Sequence, residues 1–255
     1  MLTHYQTDPG RVRSHNEDSV TIVKNKNNEY LLVVADGMGG HRAGEVASSL
    51  AVTMLGSRFQ ELSSIGSKVE AVSWIKEILE EINREIINYA LVHTDALGLG
   101  TTCVCAILTK EFLIFANIGD SSGYVLKNNQ LYKVTKDHTL VNVLVETGEL
   151  TEDEALNHPQ KNVLMKALGS SEAMDWGNSL FSVEEDVDGI FLCSDGLTNM
   201  LTQEQIEKVL ISEDLDIEKK VDKLIRKSNM RGGSDNISIA FLVKEMGDSS
   251  DSKRQ

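Results

Sequence analysis

The chain has 255 residues, of which 41% are hydrophobic and 25% are charged, and its 39 acidic and 25 basic residues give a formal net charge of −14. This composition fits a globular protein with a substantial core, and it argues against nucleic-acid binding because such a surface repels a polyphosphate backbone. No apolar run approaches the roughly 20 residues of a membrane helix, and the polar N-terminus lacks signal-peptide features, so we expect a cytoplasmic protein. Three cysteines in apolar segments are expected to be reduced core residues: Cys103, Cys105 and Cys193.

Strands are predicted where short β-branched or aromatic segments are bounded by Gly, Asn, Asp or Lys. One amphipathic helix is predicted from Gly44, and a longer one between Ser67 and Val92, where apolar residues recur every three or four positions. Thr202 begins a further helix, and another is predicted over about 216–229. The predicted strands cover residues 19–24, 30–36, 101–108, 112–118, 122–126, 131–135, 190–194 and 236–243.

The order of these elements favours an α+β fold, with antiparallel sheets covered by helices, over regular βαβ alternation. Residues 139–175 are polar, contain a short predicted helix from Thr151, and are interpreted as an excursion packed on the main body. Residues 246–255 are poor in apolar side chains and are predicted to be a disordered tail, which leaves one domain over residues 1–245.

Acidic residues recur where apolar segments begin or end. Each one alone can be explained by turn chemistry, since Asp is common in turns. If their loops converge, however, the carboxylates would repel one another and lose hydration unless cations neutralised them. Such hard oxygen ligands select Mg²⁺ or Mn²⁺. The residues concerned are Glu17, Asp18, Asp36, Asp120, Asp195 and Asp235.

The glycines after Asp36, in "ADGMGGHRAGE", are compatible with a tight turn, a phosphate-binding loop or a metal site. Their spacing matches neither the P-loop nor the dinucleotide-binding pattern, which argues against a nucleotide loop. A glycine after a ligating Asp would let its own carbonyl approach a metal. Arg13 could hold a phosphate dianion beside such a centre, although its position also fits an ordinary surface arginine.

Eight motifs, taken in order, resemble those of the metal-dependent Ser/Thr protein phosphatases (the PPM, or protein phosphatase 2C, family), and specifically the small bacterial single-domain members. They extend over roughly residues 3–243: "TDPGRVRSHNEDS", "VADGMGGHRAGEVAS", "GTTCVCAIL", "NIGDSSGY", "VTKDHTLV", "NVLMKALG", "FLCSDGLTNML" and "GGSDNISIAFLV". The resemblance implies a four-layer αββα sandwich, with two antiparallel sheets between helices and residues 139–175 as a flap subdomain.

The resemblance also implies a ligand set for two core Mn²⁺ or Mg²⁺ ions. Asp36 would bridge the two metals, and the carbonyl of Gly37 would bind the second. Asp195 and Asp235 would bind the first metal. Asp120, together with Asp195, would form the third-metal site found in many bacterial members.

Four further residues receive roles by the same resemblance. Glu17 and Asp18 would hold metal-bound waters. Arg13 would bind the substrate phosphate and act in catalysis with the metal-binding aspartates, and Asn236 would lie beside the site as a hydrogen-bonding group.

The implied activity is hydrolysis of phosphoserine and phosphothreonine in proteins by a metal-activated water, without a covalent intermediate. The implied partners are a Ser/Thr kinase and its phosphorylated substrates, and we expect a monomer. A catalytically degenerate phosphoprotein-binding regulator and a hydrolase of small phosphoesters are the alternatives.

Two positions depart from the family pattern. Ser122 stands where members usually have Arg after Gly-Asp-Ser. Met38 stands where eukaryotic members have a His that is discussed as a general acid, so the source of the leaving-group proton stays open.

Overall fold

The computed structural model describes residues 1–39, 43–93, 98–171, 173–184 and 186–245, and within those ranges the chain forms eleven strands and seven helices. The strands are β1 (Leu2–Asp8), β2 (Asp18–Lys24), β3 (Tyr30–Met38), β4 (Gly100–Thr101), β5 (Cys103–Leu108), β6 (Leu113–Ile118), β7 (Ser122–Lys127), β8 (Gln130–Lys133), β9 (Leu180–Val183), β10 (Gly189–Cys193) and β11 (Ile237–Val243). The helices are α1 (Ala43–Glu61), α2 (Lys68–Val92), α3 (Leu140–Glu146), α4 (Glu152–Leu156), α5 (Asp195–Thr198), α6 (Gln203–Leu210) and α7 (Ile217–Met230).

The strands form two antiparallel sheets. One has the order β1-β11-β10-β7-β8, and the other has the order β2-β3-β5-β6-β9 with β4 paired to β3. Helices α1 and α2 pack on the second sheet, whereas α5, α6 and α7 pack on the first. The predicted αββα sandwich is therefore confirmed.

The central strands are buried on both faces, which explains their nearly continuous apolar sequences. In β3, Leu31 and Val33 contact the core formed with α1 and α2. Leu32 and Val34 point the other way, into the core between the two sheets. All three cysteines are free and buried, as the sequence predicted.

Four elements were not predicted from the sequence: β1, β9, α3 and α5. The strands β1 and β9 lie at sheet edges, where the burial that marks a strand in the sequence is weak. The single predicted strand 101–108 is divided into β4 and β5.

Residues 139–175 leave the sandwich after β8 and return before β9. The helix α4 begins at the predicted Thr151, whose Oγ1 accepts a hydrogen bond from the N–H of Glu154 at 3.3 Å. Short bridges pair Thr139 with Leu164 and Thr101 with Leu168, which fixes both ends of the segment. That this segment acts as a flap stays a prediction, and the predicted tail lies outside the described residues.

None of the helices in the described ranges combines the length and the hydropathy that a membrane span requires.

Candidate metal centre

Polar side chains collect at one end of the sandwich, between the two sheets. In β3, Leu32 and Val34 point into the core between the two sheets, and Asp36 is the next residue on the same face of the strand. We call such a line of side chains an inward row. In β10, the inward residue Leu192 is followed two positions later by Ser194. The inward rows of four other strands end in the same way, at Asp18, Thr102, Asn117 and Ser238. The strand pattern therefore places the polar ends of several rows together.

Asp18 and Asp36 lie opposite each other in the β2–β3 register. Asp18 is 7% exposed, and its Oδ2 accepts a hydrogen bond from Ser194 Oγ at 2.7 Å. Its Oδ1 is buried and has no hydrogen-bond partner within the described ranges. The backbone of Asp36 is held by Thr102, which accepts from the Asp36 N–H at 2.9 Å and donates its own N–H to the Asp36 carbonyl at 2.8 Å.

Asp195 and Asp235 come from the other sheet. Asp195 begins α5 just after β10, and its Oδ2 accepts from Asn199 Nδ2 at 2.9 Å. Its Oδ1 is buried, and none of the residues that the structure describes is a partner for it. Asp235 precedes β11 and accepts a hydrogen bond from Arg13 at 2.8 Å. The predicted phosphate-binding arginine is thus ion-paired to a predicted metal ligand.

The pKa values of four carboxyl groups in this region are raised. Burial, followed by the charges of neighbouring aspartates, raises the pKa of Asp36 well above its ordinary value. Burial raises the pKa of Asp18 to about 7, and burial together with the charge of Asp195 raises that of Asp120 to about 7. The pKa of Asp195 is raised by burial and by Asp235. The centre therefore favours protons or cations.

Gly37 and Asn236 organise the backbone around these acids. A Cβ on Gly37 would lie 2.1 Å from the carbonyl oxygen of Gly44, so only glycine allows α1 to begin against the end of β3. Asn236 donates its Nδ2 to the carbonyls of Pro9 and His15, at 3.0 and 2.9 Å, and accepts from the N–H of Glu17 at 2.8 Å. Asn236 thereby holds the loop that carries Arg13 and Glu17.

No group of three or more His, Cys, Asp or Glu side chains in the described ranges is arranged so that it could already hold a metal ion. Like charges repel among these acids, and Arg13 is paired with Asp235. The donor chemistry fits a hard divalent cation, because two buried carboxylate oxygens, Asp18 Oδ1 and Asp195 Oδ1, have no partner among the residues that the structure describes. The individual ligand assignments stay a prediction.

A cavity of about 670 Å³ lies between the carboxylates and residues 139–162. Its lining includes Asp120 and Asp195 on one side and Val141, Asn142 and Asp153 on the other. The excursion therefore forms one wall of a cleft that leads to the candidate metal centre.

Ser122, where the family usually has Arg, donates a hydrogen bond to Asp137 at 3.4 Å. Lys133 donates to the other oxygen of Asp137 at 2.7 Å. The positive charge at this place thus comes from a residue that the sequence did not single out. The sequence analysis also missed Ser194 and Thr102. Ser194 follows the apolar strand β10 and precedes Asp195, and Thr102 precedes the apolar strand β5.

The family model described as protein phosphatase 2C matches residues 10–236 of the chain. The serine/threonine phosphatase stp of Listeria welshimeri serovar 6b is 41% identical over 246 residues, which cover 96% of this chain and 97% of that relative. The crystal structure of the serine/threonine phosphatase Stp1 from Staphylococcus aureus superposes with a TM-score of 0.88 at 36% identity, covering 95% of this chain and 94% of that one. The catalytic domain of the phosphatase PstP, crystallised with two manganese ions, has a TM-score of 0.81 at 30% identity, with 96% and 98% coverage.

Proposed function

We infer that this chain, which belongs to the protein phosphatase 2C family, is a metal-dependent phosphatase that removes phosphate from phosphoserine and phosphothreonine in proteins. One observation carries the inference: buried aspartates with unsatisfied oxygens meet beside an open cleft. Such a centre needs a cation, and a cation beside a cleft suits the binding of a phosphate group.

The residues that would hold two Mn²⁺ or Mg²⁺ ions are Asp36, Asp195 and Asp235 with the carbonyl of Gly37. Glu17 and Asp18 would hold water molecules of the ions, and Asp120 would bind a third ion with Asp195. When bound, the ions lower the pKa of a water molecule, which supplies the nucleophile at neutral pH.

Arg13 is placed to change partners. Its guanidinium is about half exposed and is paired with Asp235, so it can move without leaving a buried charge behind. If Asp235 instead held a cation, Arg13 would be available to turn to the substrate. The freed guanidinium could then hold a phosphate dianion through two hydrogen bonds and neutralise charge in the transition state.

The proposed substrates are phosphorylated proteins of a bacterial Ser/Thr kinase pathway, including the kinase, and the proposed setting is the cytoplasm. The proposed acting form is the monomer, because the polar centre and its cleft are both built by one chain. A protein substrate is proposed over a small phosphoester because the similar proteins are named serine/threonine phosphatases.

The direct test is phosphate release from a phosphothreonine peptide in the presence of Mn²⁺. We expect release to stop on addition of a chelator and to fall at least about a hundredfold in Asp36→Asn, because the variant loses a carboxylate that would hold the ions. Asp222→Asn, on the exposed face of α7, is the matched control and should keep wild-type activity. Strong turnover by Asp36→Asn would contradict the proposal, and preferential turnover of a nucleotide would favour the small-phosphoester alternative.

A further inference from the structure

His138 uses its backbone and ring hydrogen bonds to connect the candidate metal centre to Met165, within residues 139–175, and to Asn178, just after them. Its backbone N–H donates to the carbonyl of Gly119 at 2.8 Å, and its carbonyl accepts from the N–H of Met165 at 2.8 Å. Its ring Nδ1 accepts from the N–H of Gly119 at 3.2 Å, and its Nε2 lies 3.1 Å from the carbonyl oxygen of Asn178. One residue that is only 7% exposed therefore joins three other segments.

These partners determine the state of the imidazole ring. Nδ1 receives a hydrogen bond from an amide, so it carries no proton, and Nε2 must donate to a carbonyl, so it does carry one. Burial, assisted by the charge of Lys166, lowers the pKa of His138 and keeps the ring neutral. Each ring nitrogen thus has one defined partner.

The Nδ1 side of the ring leads to the metal centre. Gly119 precedes Asp120 and has φ of +108°, and a Cβ there would lie 2.6 Å from Thr102 Cγ2. Thr102 in turn holds the backbone of Asp36 through two hydrogen bonds. A shift of Gly119 would therefore be transmitted to both aspartates.

The Nε2 side leads to the returning arm of the excursion, which we call the flap root and define as residues 163–166 and 175–178. Lys166 Nζ donates to the carbonyls of Asp175 and Gly177 at 3.1 and 2.8 Å, which ties the two parts of the root together. The N–H of Leu140 donates to the carbonyl of Val163 at 2.8 Å, which ties the root to the start of α3. Through Asn178 and Met165, His138 is bonded to both parts.

We propose that His138 is a positioning residue that sets the flap root and the Gly119–Asp120 loop relative to each other, so that the cleft wall and the metal centre are placed together. The proposal rests on the proposed phosphatase function. It assigns His138 no contact with substrate or metal; the residue acts through the two segments that its ring joins.

The two ring hydrogen bonds can be removed one at a time. In His138→Asn the amide oxygen can take the place of Nδ1 and keep the bond from Gly119, but nothing replaces Nε2. In His138→Gln the amide nitrogen can take the place of Nε2 and keep the bond to Asn178, but nothing replaces Nδ1. His158→Gln is the control, since that histidine lies in the same segment and its Nδ1 bonds only the nearby Gln160.

Phosphate release from a phosphothreonine peptide should separate the two variants. In His138→Asn we expect KM for the peptide to rise about threefold to tenfold, the range that one hydrogen bond supplies, with the Mn²⁺ concentration for half-maximal activity unchanged. In His138→Gln we expect that Mn²⁺ concentration to rise by a similar factor, with KM unchanged. His158→Gln should match the wild type in both quantities.

Hydrogen–deuterium exchange of the metal-free protein gives a readout that does not depend on activity. The amide of Gly119 should exchange faster in His138→Gln than in His138→Asn, and the amides of the flap root should show the reverse order. If the wild type releases no phosphate, the proposed function fails while the exchange experiment still tests the connection. Equal changes in both variants, or none in either, would overturn the proposal, because a residue that only stabilises the fold would not separate the two sides.

Discussion

Glu29 and Asp18 lie at opposite ends of the β2–β3 hairpin and are each 7% exposed, yet their pKa values are shifted in opposite directions. Burial raises the pKa of both. In Glu29, hydrogen bonds from Asn25, Asn27, Ile65 and Ser64 outweigh burial and lower the pKa below its ordinary value.

Hydrogen bonds and neighbouring charges separate the two residues. Both oxygens of Glu29 are occupied: Oε1 accepts from Asn27 Nδ2 and Ser64 Oγ at 2.9 Å each, and Oε2 accepts from the N–H of Ile65 at 2.7 Å and from Asn25. Asp18 accepts from Ser194 on Oδ2, its Oδ1 has no partner among the described residues, and the charges of Asp195 and Asp235 raise its pKa further. A buried carboxylate that is fully hydrogen-bonded is a structural element, whereas one that is half satisfied and surrounded by other acids is arranged for a cation.

Among the tests of this comparison, Asp18→Asn has the largest expected effect. We expect activity with Mn²⁺ to fall about tenfold to a hundredfold, since a residue supporting the metal site is removed. The free energy of unfolding of the metal-free protein should rise at the same time, because one buried negative charge is gone. Phosphate release and thermal unfolding in chelator measure the two effects, and a loss of both activity and metal-free stability would refute this interpretation of Asp18.

Glu29→Gln should give the opposite result. The amide cannot accept all the hydrogen bonds that Glu29 accepts, so we expect the free energy of unfolding to fall by about 1–3 kcal/mol. The Mn²⁺ concentration for half-maximal activity should stay at the wild-type value. Denaturant titration and the phosphate-release assay test this, and a changed Mn²⁺ response would show that the two ends of the hairpin are not independent.

The pH dependence of stability is a third test of this comparison, and its expected effect is the smallest of the three. Asp18 and Asp120 have folded pKa values of about 7 against an ordinary 3.8, so between about pH 4 and 7 the folded chain binds more protons than the unfolded chain. The stabilisation of the folded state by these two groups is therefore fully present below about pH 4 and is lost as pH rises through 7. For each extra proton that the folded chain binds, the free energy of unfolding falls by roughly 1.4 kcal/mol per pH unit. The lowered pKa of Glu29 acts only in the acidic range, where its contribution is lost as pH falls.

We accordingly expect the Tm of the metal-free protein to decrease from pH 5 to pH 8. Glu29→Gln should keep this slope and Asp18→Asn should reduce it. Saturating Mn²⁺ should remove the decrease, because deprotonated carboxylates bind the ion. A slope that is identical in Asp18→Asn would contradict the assignment of the effect to the candidate centre.

The central strands could be predicted from the sequence because both of their faces are buried, so that β3 and β10 appear as short apolar runs. The edge strands β1 and β9 could not, since β1 is largely exposed and β9 is only half-buried. The order of strands within each sheet could not be predicted from local sequence patterns either, because β1 pairs with β11, which is far from it in the sequence. Long-range pairing is decided by packing, which no local window contains.

The same limit applies to the candidate site. Asp36 and Asp195 could be found because an acid follows an apolar run, and the family motifs then supplied their roles. The hydrogen bond from Ser194 to Asp18 could not be found, because 176 positions separate the two residues in the chain. Glu29 is defined by its partners in the fold, and nothing in its neighbouring sequence distinguishes it from a surface residue. His138 lies in the motif "VTKDHTLV", but the sequence assigned it no role because its ring partners are determined by the fold.

At one end of the sandwich the inward rows change from Leu and Val to Asp. This change also affects how long the folded protein survives. Apolar contact between the sheets stops at that end, so repulsion among the acids opposes the association of the sheets that the core stabilises. Any ion that neutralises the acids adds its binding free energy to that of folding, in an amount that grows with the ion's concentration. The supply of that ion would then set how well the protein resists proteolysis as well as how fast it works.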